Sequence, residues 1–147
     1  MFLAGITQNA NNMNSTQSAT QTQTVNFRYI VTDVDKAVNF YVKMLGFHAD
    51  QHVKSAFASL SLDGVHLFIN RPGAGGAGQA MPDGTTPAPG GWNRILITVD
   101  NLETTVKELK SKGATFRNEI VDGVGGKQIL LQDPSGNLVE LFQYAQQ

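Results

Sequence analysis

Asn26-Phe27-Arg28-Tyr29-Ile30-Val31-Thr32-Asp33-Val34 and Arg94-Ile95-Leu96-Ile97-Thr98-Val99-Asp100-Asn101-Leu102 decide the architecture, because they are one pattern written twice. In the first, Phe27, Tyr29 and Val31 share one face of an extended strand while Asn26, Arg28 and Ile30 share the other; in the second, Ile95, Ile97 and Val99 oppose Arg94, Leu96 and Thr98. Each strand runs into a residue suited to cap a helix, Asp33 or Asn101. Apolar positions then follow at helical spacing, Val34, Val38, Tyr41 and Leu45 in one copy and Leu102, Val106 and Leu109 in the other, with Gly46 and Gly113 as stops. A slide of 68 residues lays Val31 on Val99, Val34 on Leu102, Val38 on Val106 and Tyr41 on Leu109. The chain is an internal duplication.

Working outward, each helix is followed by three strand-like runs. In the first copy these are Phe47 to Val53, Ser55 to Leu62 and Val65 to Asn70, the last two joined by an Asp63-Gly64 hairpin turn. In the second they are Ala114 to Ile120, Lys127 to Gln132 and Asn137 to Leu141, separated by turns at Asp122-Gly123 and Asp133-Pro134-Ser135-Gly136. The expected class is α+β: two tandem βαβββ modules, residues 26–70 and 93–143, forming one domain over 26–143. The Gly/Pro-rich stretch 71–92 between them reads as a linker or a flap. It is a poor phosphate cradle, since a strand follows it where a helix N-terminus and a lysine should stand. Residues 1–25 carry no charge and are mostly Gln, Asn, Thr, Ser and Ala, so they are expected to remain a disordered polar tail.

Composition narrows the function. Eleven Lys plus Arg against 12 Asp plus Glu give a net charge of −1, which argues against a nucleic-acid or anionic-membrane partner. The absence of cysteine removes disulfides, thiolate metal sites and thiol nucleophiles. No apolar run approaches the roughly 20 residues of a membrane span, and Phe2-Leu3-Ala4-Gly5-Ile6 is too short for a signal peptide. A cytoplasmic protein with a small-molecule partner is expected, and a homodimer stays open.

Two such modules side by side would form a cup-shaped mixed sheet, with helices on its outer face and a concave surface left for a ligand. Parity then selects the inward residues. They are Asn26, Arg28 and Ile30 from the first strand, His66, Phe68 and Asn70 from the fourth, Arg94, Leu96 and Thr98 from the fifth, and Leu138, Glu140 and Phe142 from the last. The wall is mainly apolar, and Phe57 and Trp92 add aromatic surface.

Val31-Thr32-Asp33-Val34, Asn39-Phe40-Tyr41, Leu45-Gly46-Phe47 and Gln132-Asp133-Pro134-Ser135-Gly136-Asn137-Leu138-Val139-Glu140-Leu141 resemble the vicinal oxygen chelate superfamily of glyoxalases, bleomycin-binding proteins, fosfomycin-resistance enzymes and extradiol dioxygenases. The resemblance covers residues 26–143. It implies that metal ligands, where members use a metal, stand at the start of each module's first strand and on each module's last strand. Here those positions hold Asn26, Arg94, Glu140 and either Leu67 or Phe68. Only Glu140 has a ligand's chemistry, a catalytic ion wants about three protein ligands, and Arg94 would set a guanidinium against the cation. No metal and no cofactor are therefore expected, with a divalent ion as the less favoured case.

Arg94 and Glu140 are instead expected to pair across the floor. The pair reads either as a structural salt bridge or as a ligand device in which Arg94 holds an anionic or carbonyl group and Glu140 orients it or moves a proton. The leading functional expectation is a binding protein for a small, partly apolar molecule. The alternatives are a lyase, isomerase or dioxygenase-type enzyme using Glu140 as acid/base or sole retained metal ligand, perhaps with His66 recruited, or a structural module. His48, Asp50 and His52, spaced by two, are expected to share the polar face of an edge strand.

Overall fold

The computed structural model of the chain describes residues 23–146. The tail expectation falls mostly on residues 1–22, outside the described residues; 23–25 form no regular structure. The first module is β1 (Phe27–Ile30), α1 (Val34–Leu45), β2 (His48–Val53), β3 (Phe57–Leu62) and β4 (Val65–Asn70). A four-residue turn of helix, α2 (Gly75–Gly78), interrupts the long loop. The second module is β5 (Ile95–Thr98), α3 (Leu102–Ser111), β6 (Thr115–Phe116), β7 (Val121–Gly123), β8 (Gly126–Gln132) and β9 (Leu138–Tyr144).

Both helices begin where the capping residues stand. The Asp33 carboxylate accepts from the Lys36 N–H at 3.0 Å and the Asn101 side chain from the Thr104 N–H at 2.9 Å. Gly46 closes α1 at φ 76°, a left-handed conformation that a residue with a Cβ adopts only at a cost. α1 covers one face of the first sheet and α3 one face of the second, and a single core runs through both modules, from Val31, Tyr41 and Leu67 to Leu102, Ile129 and Leu141.

The sheets are mixed. The first has strand order β1-β4-β3-β2 and the second β5-β9-β8-β6, with β7 also on β8. In each, the module's first and last strands run parallel, β1 beside β4 and β5 beside β9. The two carry separate ladders, so the expected single sheet is corrected to two sheets, of four and five strands. What joins them is side-chain chemistry.

Tyr29 is the clearest joint. Val99 N–H donates to Phe142 O at 2.9 Å, and a parallel ladder repeats every two residues, so Ile95 N–H should reach Leu138 O. The Tyr29 hydroxyl occupies that place, accepting from Ile95 N–H at 2.8 Å and donating to Leu138 O at 2.9 Å. A side chain from the first module thus completes the second module's ladder, and burial raises its pKa. The Asp133–Asn137 turn returns the connection. Asn137 Nδ2 donates to Ile30 O at 2.9 Å, on the free edge of β1, and Thr32 N–H donates to Ser135 Oγ at 2.9 Å.

Two predicted elements differ. Ala114 to Ile120 was expected as one strand, yet only Thr115–Phe116 pair with β8 before the ladder is broken. Asn118 Oδ1 accepts the Leu130 N–H at 2.9 Å, so a side chain takes the acceptor's place and the backbone turns away until β7. Asp122-Gly123 belongs to β7, and the turn falls on Val124-Gly125 instead. Gly126 follows it at φ 149°, where a Cβ would stand 2.0 Å from Gln143 O, so only glycine lets β8 start this close to β9.

Candidate functional site

The faces turned away from the core carry the residues selected by parity. On the first sheet, two transverse rows follow from the register: Arg28, Phe68 and Ser59, then Ile30, Asn70 and Phe57. Arg28 lies over the Phe68 ring, its guanidinium carbon 5.1 Å from the centroid, and its Nη1 donates to Asn70 Oδ1. Asn70 is only 3% exposed and its Nδ2 reaches Ala74 O at 3.5 Å, which ties the row to the start of the long loop. The structure therefore brings Arg28, Phe68 and Asn70 together. It also resolves the ambiguous position: Leu67 is fully buried in the core, so Phe68 is the residue on the open face.

On the second sheet, Glu140 stands opposite Leu96 and Leu130. Its carboxylate is 6% exposed as a residue, and Oε2 accepts from Arg94 Nε at 2.6 Å. Arg94 is steadied in turn by Nη1 donating to Trp92 O at 3.2 Å. Leu138, on the same face, is buried and does not line open space. Phe142 meets Tyr144 edge to face at 5.0 Å.

Arg94, Leu96 and Thr98 border a groove of about 340 Å³ that runs along β5, with Phe27, Leu62 and Val65 opposite. Phe27 was expected to pack under a helix and instead is 43% exposed on this groove, as is Val65 in part. Both are the first residues of their strands, Phe27 of β1 and Val65 of β4. Asn26 is exposed, and among the described residues its side chain is hydrogen-bonded only to Thr24, at 3.3 Å.

His66 shares the open face with Phe68, two residues along β4. Its Nδ1 lies 3.8 Å from Asp50, whose carboxylate is 2.9 Å from His48 Nδ1 and accepts from Ser61 Oγ at 2.9 Å. The expected His48, Asp50, His52 face is corrected by a bulge between Ala49 and Gln51 that leaves Asp50 unpaired in the ladder. His52 consequently turns to the helix side, 2.6 Å from Asp35. The hydrogen bonds from His48 and then Ser61 hold the Asp50 carboxyl below the ordinary carboxylate range. A carboxyl depressed by folding stabilises the protein above its unfolded value and loses that contribution as pH falls through its folded value. The loss is expected below pH 3.8, and a carboxyl-carbon NMR titration placing Asp50 at or above 3.8 would contradict it.

One feature of the face was not predicted. Arg117 lies over the Trp92 ring, 4.6 Å from its centroid, and its N–H donates to Leu130 O at 2.8 Å, beside the Glu140 row. Trp92 was legible as aromatic surface; Arg117 was hidden inside a run read as a continuous strand.

The relation to known proteins follows from this arrangement. Residues 23–141 match the family described as Glyoxalase/Bleomycin resistance protein/Dioxygenase superfamily. The chain belongs to that superfamily. It is similar to a lactoylglutathione lyase of Schizosaccharomyces pombe, 26% identical over 137 residues that cover 79% of this chain and 45% of that protein, so the chain spans less than half of that relative's length. The fold is also that of a lactoylglutathione lyase from Agrobacterium tumefaciens, with TM-score 0.66, 15% identity, and 84% and 95% of the two chains covered. It is shared by an antibiotic-binding protein from Streptomyces, with TM-score 0.62, 20% identity, and 86% and 98% covered.

The superfamily's metal is tested by the donor set. Asn26 is exposed at a loop, Phe68 is a hydrocarbon, Arg94 is a cation, and Glu140 is already held by Arg94. Among the described residues no group of three His, Asp or Glu side chains is arranged to hold an ion. These residues do not fit a directly ligated catalytic metal. No helix among the described residues is long and apolar enough to cross a membrane.

Proposed function

We propose that this chain binds a small, partly apolar molecule on the open faces of its two sheets, without a metal held at the superfamily's ligand positions. The observation that carries the reading is the Arg94–Glu140 contact at 2.6 Å. It satisfies the single metal-competent side chain of the four positions with an internal cation, and leaves recognition to shape, aromatic surface and a few polar anchors. Phe57 and Phe68, 6.1 Å apart, and Leu96, 51% exposed, supply the apolar surface. The reading extends to a cytoplasmic homodimer, in which a second chain covers part of the exposed apolar edge at Phe27 and Leu96; light scattering that finds one chain per particle overturns that extension.

Two measurements test the core of the reading. Elemental analysis of the dialysed protein is expected to find no stoichiometric zinc, nickel, iron or manganese. A thermal-stability screen against metabolites and antibiotics is expected to yield a stabilising ligand, about 2.7 kcal/mol at 100 times its dissociation constant. One metal per chain, retained on dialysis and lost in Glu140→Gln, would favour the enzymatic alternative instead. In that reading Glu140, buried on the open face, serves a lyase, isomerase or dioxygenase-type reaction as acid/base or ligand.

A further inference from the structure

The duplication places Arg28 and Phe68 where the second module has Leu96 and Glu140: in each parallel pair the two residues stand opposite one another, Arg28 to Phe68 and Leu96 to Glu140. On the second module's open face Arg94 is neutralised by a carboxylate. Arg28, on the first module's face, is not. Among the described residues no carboxylate lies within 4.0 Å of the Arg28 guanidinium; its neighbours are the ring of Phe68 and the amide oxygen of Asn70. We propose that Arg28 is an anion anchor, and that the molecule bound on the first sheet pairs a flat apolar body with a carboxylate or similar oxyanion. The proposal rests on the reading of the open face as a binding surface and adds the charge of what it takes.

Three features of the first sheet support it. The guanidinium is held in place before any ligand arrives, stacked on Phe68 and hydrogen-bonded to an amide that is itself 97% buried, since Asn70 is 3% exposed. Ordering the side chain in advance removes an entropy cost from binding. Second, Asn70 uses one of the fork's five N–H donors, and the planar fork matches a carboxylate through two parallel bonds. Third, the rest of the two rows is neutral: Ile30 and Phe57 flank Asn70, and Ser59 follows Phe68. A cation on two otherwise neutral rows of apolar and hydroxyl-bearing side chains selects an apolar acid over a polar or cationic molecule; the Asp50 carboxylate stands in the next row, held by Ser61 and His48.

The test compares 2-naphthoate with its uncharged isostere, 2-naphthamide, by calorimetric titration of the full chain. The acid is expected to bind at least tenfold more tightly. That preference should vanish in Arg28→Gln, shrink in Arg28→Lys, which keeps the charge and loses the fork, and persist in Lys107→Gln, an exposed control on α3. Circular dichroism melting of Arg28→Gln close to the parent shows that the variant is folded, because Arg28 packs on a surface ring and not in the core. Equal binding of acid and amide overturns the anion anchor and leaves the binding reading standing. A preference that survives Arg28→Gln overturns it as well. Binding of neither probe overturns both.

Discussion

Replacing Asp133 with alanine is expected to destabilise the protein by about 3–5 kcal/mol, since several buried donors lose their acceptor together. Asp133 is 4% exposed, and its two oxygens accept from the Tyr41 hydroxyl at 2.9 Å, the Asn137 side chain at 2.9 Å, and the backbone N–H groups of Ser135 at 2.8 Å and Asn137 at 2.9 Å. Tyr41 comes from α1 of the first module and is fully buried, so the carboxylate fixes a turn of one module to a helix of the other. Tyr41→Phe removes one donor and leaves the other three in place, and is expected to cost about 1 kcal/mol. Burial and then the Asp133 charge raise the Tyr41 pKa from 10.0. A raised acid stabilises fully below its unfolded value, so the contribution declines as pH climbs above 10.0, and Tyr41→Phe should flatten that alkaline loss. Urea unfolding of both variants at neutral and alkaline pH measures these effects. Asp133→Ala within 1 kcal/mol of the parent would falsify the network.

That network shows where the sequence was readable and where it stopped. The helices were legible because Asp33 and Asn101 cap stripes of fixed spacing, and the same spacing recurs 68 residues on. Strand faces were legible because the side-chain period is two, which correctly set Leu67, Ile69, Val139 and Leu141 in the core. Parity fails where the backbone gains a residue. The bulge at Asp50 reversed His52, and no local signal in Ala49-Asp50-Gln51 marks it, since bulges are set by pairing with the neighbouring strand. Contacts between modules were also out of reach. The Tyr29 hydroxyl completes a ladder 66 residues away, and the Trp92–Arg117 stack joins a loop to a broken strand, both products of tertiary packing. Arg94 and Glu140 were readable as a pair because the family resemblance puts both at metal-ligand positions, where two opposite charges without an ion have each other as partners.

Their coupling gives the second large effect. Arg94→Met leaves the Glu140 side chain, 8% exposed, as a buried charge without its cation, and is expected to cost about 2–3 kcal/mol. Glu140→Gln should cost less, about 1 kcal/mol, because the Arg94 side chain is 29% exposed and its freed guanidinium can turn toward water. The asymmetry is itself a consequence of burial: the same broken contact strands a dry charge in one variant and a wet one in the other. In the double variant Arg94→Met with Glu140→Gln both charges are gone, the desolvation cost goes with them, and part of the loss is recovered. Unfolding of the four proteins forms a double-mutant cycle, with a coupling energy of at least 1 kcal/mol expected. Additive losses within about 0.5 kcal/mol would mean that the side chains do not share a contact in solution. Because Glu140 is then free of an internal partner, that outcome would also remove the observation on which the metal-free reading rests.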